Sequence, residues 1–341
     1  MNLIAACLGN RGRTAVICAS VMVANVLAWG WAWPAVHGNP VLLGTAFLAY
    51  TFGLRHAVDA DHIAAIDNAT RKLIEAECPA SATGLFFSLG HATVVILASL
   101  VIVLTTVKLQ TSFQAWKPLA STVATGLSAA ALFALAIANT FIFVSVLRVL
   151  TAMRQGGQPL DLELRRMTMR PGLLGHLLRG LFRLISKSWH MYPLGFLFGL
   201  GFDTATEIGV LGVSATQAAH GLPLPMIMVF PVLFTAGMVL VDTLDAVLMV
   251  GAYRWASIEP IRKLYYNLGI TLISVIVAFV IGGVELLGLF AGDNADSGIF
   301  WKVIGLLNEH FTAIGVTIIG VFAVSWGISM LIWRSRIAPS S

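Results

Sequence analysis

The sequence predicts an all-α membrane protein with eight transmembrane helices and both termini in the cytoplasm. Three observations carry this prediction: a composition too poor in charge for a soluble chain, eight long apolar stretches, and a one-sided distribution of basic residues. Only 11% of the 341 residues are charged, and the mean hydropathy is +0.87. Soluble domains carry about 25% charged residues, so a large water-soluble catalytic domain is excluded.

The spans follow from the length of the apolar stretches. A helix needs about 20 mostly apolar residues to cross the hydrocarbon core of a bilayer. The first stretch follows Arg11 and Arg13, as a signal sequence would, but it is too long and ends in bulky residues, so we expect it to stay in the mature protein. The eight predicted spans are 14–36, 41–66, 84–107, 120–150, 191–217, 223–251, 265–290 and 311–333.

The basic residues orient these spans. With the N-terminus inside, most Lys and Arg residues fall in cytoplasmic segments; only Lys108, Lys117 and Lys302 fall outside, and Arg55 lies within a span. This asymmetry is the positive-inside rule. It also explains the net charge of +5, so no nucleic-acid partner is needed.

One long connection, residues 151–190, separates the two halves of a single polytopic domain spanning 1–341. It is basic and partly amphipathic, which predicts a cytoplasmic segment lying on the inner leaflet; a regulatory role is the alternative.

Ionisable residues cluster inside four of the predicted spans, where they are costly and usually mark a site or a pathway. We expect His56, Asp59 and His62, at positions i, i+3 and i+6, to share one helix face, with Asp61 pointing elsewhere. The acid pairs of spans five and six also share a face each, so the four helices are expected to line one cavity. The candidate metal ligands are His56, Asp59, Asp61, His62 and His91, and the candidate pathway or supporting residues are Arg55, Asp203, Glu207, Asp242 and Asp245.

The mixture of imidazoles and carboxylates indicates the kind of cation. Imidazole favours Ni, Co, Zn or Cu over Mg²⁺. The three cysteines, Cys7, Cys18 and Cys78, form no C-x-x-C pair, so neither a soft thiolate site nor a disulfide framework is expected. A borderline divalent transition metal fits best, and several of the six buried acids must be protonated, hydrated or hydrogen-bonded to share a cavity with it.

The run from Arg55 to Asn68, RHAVDADHIAAIDN, resembles the signature of the nickel/cobalt transporter (NiCoT) permeases. Motifs around Gly90-His91, Asp203 and Asp242 resemble that family's other signatures in the same order. The resemblance implies secondary uptake of Ni²⁺ or Co²⁺ across the bacterial cytoplasmic membrane, with the metal as substrate, no cofactor and no ATPase subunit. It matches His56, Asp59, Asp61 and His62 to the family's His-x4-Asp-His element. Ala92 and Ala246 depart from the family pattern and leave the metal preference open.

A short internal similarity suggests an inverted repeat. Phe52-Gly53-Leu54 recurs as Phe198-Gly199-Leu200, and Phe87-x-x-Gly90 recurs as Phe234-x-x-Gly237 at nearly the same offset. Spans two and three would then correspond to spans five and six, which run in the opposite direction, with the site at the interface of the repeats.

Two other functions fit the sequence less well than uptake does. Exporters of these metals often carry His-rich cytosolic segments, whereas 151–190 holds only His176 and His190. An intramembrane zinc hydrolase would be expected to show His-Glu-x-x-His, which the sequence lacks. The sequence has no Gly-x4-Gly-Lys-Ser/Thr loop for ATP either, so a permease driven by a membrane gradient, or by a separate subunit, is favoured over an enzyme.

Overall fold

The computed structural model describes residues 2–104, 107–154, 185–201, 205–256, 260–291 and 298–337, and the regular structure within them is helical. A 3₁₀ turn at Ser188–His190 and a single helical turn at Leu224–Ile227 supplement the longer helices. The longer helices of the described residues are α1 (Asn2–Val36), α2 (Pro40–His56), α3 (Ala60–Glu75), α4 (Thr83–Leu104), α5 (Val107–Arg154), α6 (Met191–Gly199), α7 (Ala205–Ala219), α8 (Val229–Ala256), α9 (Pro260–Ala291), α10 (Ile299–Glu309) and α11 (Phe311–Ile337).

Several of these helices are long and apolar enough to cross a bilayer. Within the described ranges, four segments qualify alone: Gly12–Val36, Thr83–Leu104, Leu224–Tyr253 and Thr271–Phe290. Two bent pairs, α2 with α3 and α10 with the first part of α11, raise the number to six if each pair forms one span. Large apolar side chains such as Leu248 and Ile299 face outward. The chain is thus a multi-pass membrane protein, and the expected count of eight stays a prediction.

The second predicted span is not one continuous helix. α2 ends at His56, α3 begins at Ala60, and their axes differ by 50°. Asp59 has extended backbone angles (φ −64°, ψ 146°), which interrupts the helical path. The expectation that His56, Asp59 and His62 lie on a single helix face is therefore wrong; the two histidines belong to different helices.

Glycines set the spacing between the helices around this break. A Cβ at Gly53 of α2 would overlap the carbonyl of Phe234 in α8. A Cβ at Gly84 of α4 would overlap the carbonyl of Asp242, which also lies in α8. On the other side of α4, a Cβ at Gly195 of α6 would overlap the carbonyl of Phe87. Because these residues lack a side chain, α2, α4, α6 and α8 pack with their backbones almost in contact.

Helix α3 lies at the centre of the molecule and is buried over nearly its whole length. Arg71 is buried and donates hydrogen bonds to Thr271 (2.8 Å) and Ser274 of α9 and to Asp67 (3.4 Å). Tyr253 of α8 donates to the other oxygen of Asp67 at 3.2 Å, and its ring lies 5.1 Å from the Arg71 guanidinium. These contacts tie α3 to α8 and α9.

The expected cytoplasmic segment, 151–190, lies largely outside the described residues. Only its ends are described: the last turn of α5 and the residues from 185 onward that lead into α6. Its position on the inner leaflet therefore stays a prediction.

Candidate metal site

Three histidines from three helices meet in the interior of the protein. His56 ends α2, His62 lies in the first turn of α3, and His91 lies in α4. One nitrogen from each ring lies within 4.8 Å of the others, and the residues are 1%, 0% and 2% exposed. The break after His56 allows the three rings to converge, because it changes the direction of α3 so that His62 faces His56 and His91.

His56 has one nitrogen held by Asp59 and the other directed inward. Its Nδ1–H donates to Asp59 Oδ2 at 3.0 Å, and Thr206 Oγ1 of α7 lies 3.2 Å from the same nitrogen. Its Nε2 lies 3.0 Å from Nε2 of His91. A carboxylate on Nδ1 keeps the lone pair on Nε2, which is how histidine is prepared to bind a metal.

His62 is held in the same way by a different acid. Its Nδ1 lies 3.2 Å from Asp242 Oδ2 of α8, and its buried Nε2 has no hydrogen-bond partner among the described residues. Ser88 of α4 donates to the same Asp242 oxygen at 2.6 Å, which fixes the carboxylate. A buried ring nitrogen without a partner is costly, and a cation at the cluster would satisfy it.

His91 is paired with the acid of α7. Its Nε2 lies 2.7 Å from Glu207 Oε1, and the same oxygen lies 3.8 Å from Nε2 of His56. Within the described part of the chain, the buried Nδ1 of His91 has no hydrogen-bond partner. Glu207, 1% exposed, is therefore the acid nearest to the nitrogens that would bind a cation.

Phenylalanines close the site on two sides. The ring of Phe234 lies 5.5 Å from that of His56, and the ring of Phe87 lies 4.8 Å from that of His62. Phe198 packs edge-on against Phe87 at 5.2 Å. Apolar rings this close to the imidazoles make the surroundings less polar, which strengthens electrostatic interactions between a cation and its ligands.

The geometry suits a divalent transition metal. Metal–imidazole bonds of about 2.0–2.1 Å place two nitrogens on one ion about 2.9–3.4 Å apart. The Nε2 atoms of His56 and His91 already have this spacing, at 3.0 Å, whereas the three nitrogens as a set lie within 4.8 Å, so the rings would close in slightly on an ion. Neutral imidazoles with a nearby carboxylate are a donor set for Ni, Co, Zn or Cu rather than for Mg²⁺.

The structure places the other candidate residues in different surroundings. Asp59 and Asp242 each face the Nδ1 side of a histidine. Asp61 interacts electrostatically with His62, Asp59 and His56, and its buried Oδ1 has no hydrogen-bond partner in the described ranges.

Three further candidates make no contact with the histidine rings among the bonds found in the described residues, or lie outside those residues. Arg55 is exposed, and its Nε donates to Thr312 Oγ1 at 3.3 Å. Asp245 lies one turn beyond Asp242 in α8 and interacts electrostatically with Asp242 and with Asp67 of α3. Asp203 lies outside the described residues.

Sequence reasoning missed three hydroxyl residues at this site: Ser88, Thr206 and Thr312. Ser88 and Thr206 lie inside motifs that were recognised for their histidine and acids, so a search for hydrogen-bond donors within those motifs would have found them. Thr312 lies 253 positions from its partner Asp59, and no local pattern marks it.

Comparison with known proteins identifies the family. Residues 42–332 match the NicO family model, described as high-affinity nickel-transport protein. The chain is 48% identical to a high-affinity nickel transport protein of Cupriavidus necator, over 96% of this chain and 93% of that protein. It is 39% identical to the nickel transporter NixA of Staphylococcus aureus, over 93% of each. It is also 33% identical to the cobalt transport protein NhlF of Rhodococcus rhodochrous, over 94% of this chain and 92% of that protein. No solved structure matches the chain.

Proposed function

The chain belongs to the NicO family of high-affinity nickel-transport proteins, and we propose that it takes up Ni²⁺ through the cluster of His56, His62 and His91. It is a membrane permease and not an enzyme, and the metal ion is its substrate and not a resident cofactor. The observation that carries the proposal is the convergence of three buried imidazoles, two of which have a carboxylate on the nitrogen that faces away from the cluster.

Cobalt is proposed as a second substrate. The cobalt transport protein among the relatives supports this, and so does the donor set, because imidazole and carboxylate ligands bind Ni²⁺ and Co²⁺ in similar ways. Ni²⁺ and Co²⁺ should therefore compete for the same site.

Eight spans with cytoplasmic termini are proposed for the membrane domain. Six spans are supported by length and composition. The apolar part of α5, Thr125–Phe141, and the pair of α6 and α7 supply two more candidates. The basic residues concentrated between spans support the orientation, which in a bacterium places the protein in the cytoplasmic membrane.

Helix contacts support an inverted repeat, with a register different from the one read from sequence. Gly53 of α2 packs on Phe234 of α8, and Gly195 of α6 packs on Phe87 of α4. If the two contacts are equivalent, Gly195 occupies the position in the second repeat that Gly53 occupies in the first. The sequence match instead gives that position to Gly199.

The same register appears at a second pair of contacts. Gly237 of α8 packs on Tyr50 of α2, and Gly90 of α4 packs on Tyr192 of α6. Two such halves around a central site would allow alternating access, in which one half rocks against the other. The membrane gradient would supply the energy, without an ATPase subunit.

Uptake of radioactive nickel by cells lacking their own nickel transporter tests the function. Cells expressing the chain should accumulate the metal, and excess unlabelled Co²⁺ should reduce this accumulation. Depletion of preloaded nickel would instead identify an exporter. No change in either direction, with the protein present in the membrane, would contradict transport.

A further inference from the structure

We propose that Thr312 is a positioning residue for the transport site: it holds Asp59 in the orientation that aims His56 at the cation. This inference rests on the proposed function, because it assumes that His56 binds the transported metal. Thr312 lies in the first turn of α11, far in sequence from α2 and α3.

Asp59 can accept a hydrogen bond either from the N-terminus of α3 or from His56. It is the residue immediately before α3, where an aspartate normally accepts a hydrogen bond from a backbone N–H of the first helical turn. The Asp59 side chain makes no such bond to α3, whose backbone is described throughout. Its Oδ2 accepts from His56 Nδ1 instead, at 3.0 Å.

Thr312 occupies the second oxygen of this carboxylate. Its Oγ1–H donates to Asp59 Oδ1 at 2.5 Å, and its Oγ1 accepts from Arg55 Nε at 3.3 Å. The carboxylate is thus held on both sides, by Thr312 from α11 and by His56 from α2. Rotation of Asp59 toward the N-terminus of α3 would break both bonds.

Close backbone contact keeps Thr312 in place. One turn along α11, a Cβ at Gly315 would overlap the carbonyl of Val58, within the break between α2 and α3. Phe311 and Ile314 pack against the buried core around α3. The start of α11 therefore has little freedom relative to the break, and the Thr312 hydroxyl is fixed at Asp59.

Loss of the Thr312 hydroxyl should favour the hydrogen bond that Asp59 can accept from the N-terminus of α3 over the one that it accepts from His56. Without the Thr312 hydroxyl, the Asp59 carboxylate is free to turn and accept a hydrogen bond from the first turn of α3, which stabilises a helix. His56 then loses the acceptor that orients its Nδ1–H. Removing such a supporting partner typically lowers metal affinity 10–100-fold.

The test compares Thr312→Val, which keeps the shape and removes the hydroxyl, with Thr312→Ser, which keeps the hydroxyl. Thr317→Val is the matched control, because Thr317 lies on the same helix, is exposed, and donates only to the backbone carbonyl of Ala313 among the bonds found in the described chain. The measurements are Co²⁺ binding to purified protein, nickel uptake kinetics at equal membrane abundance, and thermal unfolding.

Thr312→Val should weaken Co²⁺ binding and raise the KM for uptake at least 10-fold, with little change in maximal rate and no loss of thermal stability. Thr312→Ser and Thr317→Val should resemble the unmodified protein. Normal affinity in Thr312→Val would overturn the inference, and so would a loss of affinity accompanied by unfolding that serine does not correct.

The proposed function is tested separately by His56→Ala. If His56→Ala binds Co²⁺ normally, the histidine site itself is wrong. If His56→Ala fails to bind while Thr312→Val binds normally, only the role of Thr312 is wrong.

Discussion

At the scale of single residues, the site depends on which nitrogen each histidine presents. His56 and His62 both use Nδ1 to contact a carboxylate, and this leaves Nε2 for the cation. Among the acids that contact these rings, Asp59 and Asp242 lie on the Nδ1 side of a histidine, whereas Glu207 lies beside the nitrogens that would bind the metal. The number of acids at the site thus exceeds the number that would touch the ion.

Replacing His62 should abolish transport. His62→Ala removes one of three nitrogens from a site where no water-exposed residue can substitute, so Co²⁺ binding should fall at least 100-fold. His220→Ala, at an exposed histidine between predicted spans, is the control and should bind normally. Normal uptake by His62→Ala at equal membrane abundance would contradict the assignment of this residue as a ligand.

Replacing Asp242 should weaken the site without removing a ligand. Asp242→Asn keeps the size of the side chain but loses the charge that holds His62 Nδ1–H and accepts from Ser88. Metal affinity should fall by about 10–100-fold, with the protein still inserted. Isothermal titration of the purified variant with Co²⁺ measures the change, and an unchanged affinity would show that Asp242 does not support the site.

Metal binding should release protons. Histidine binds a metal ion only through an unprotonated nitrogen, so protons compete with the cation at His56, His62 and His91, and binding should weaken as pH falls. Calorimetry in buffers of different ionisation enthalpy measures the protons released. Binding without proton release at any pH would argue against a histidine-centred site.

At the scale of helices, two features position the site: the break between α2 and α3, and the close glycine contacts that join α2 to α8, α4 to α8 and α4 to α6. The break directs His62 toward His56. The glycine contacts bring α4 and α8, with His91 and Asp242, close enough to complete the site. An enlarged side chain at these contacts should therefore disturb both stability and transport.

Gly53→Ala should destabilise the protein by about 1–3 kcal/mol, the usual cost of overpacking, because the added methyl group meets the carbonyl of Phe234. Gly195→Ala should cost a similar amount if the two halves are related by the repeat. Gly212→Ala is the control, since a Cβ there meets no atom within 4 Å. Thermal unfolding in detergent gives the comparison, and equal stability of all three variants would contradict the close packing.

At the scale of the whole molecule, the proposed topology predicts which loops face each side of the membrane. Eight spans with cytoplasmic termini would place Gly38 outside and Cys78 inside. With Cys7 and Cys18 replaced by serine, Cys78 should react with a membrane-impermeant maleimide only after the cells are permeabilised. A cysteine at Gly38, in a chain lacking the three native cysteines, should react in intact cells. The reverse pattern would invert the proposed orientation.

The sequence by itself determined that the chain is a helical, multi-pass membrane protein that resembles the nickel transporters, and it supplied the candidate residues of the site, because apolar length, charge content and residue type are local properties of the chain. Only the tertiary structure decided that α2 stops at His56, which nitrogen of each ring faces the cluster, and that Thr312 reaches Asp59. It also showed which helices pack with their backbones close together, through glycines that contact backbone from distant helices. The physical reason is that these features depend on distances between helices remote in sequence, and such distances leave no periodic pattern along the chain.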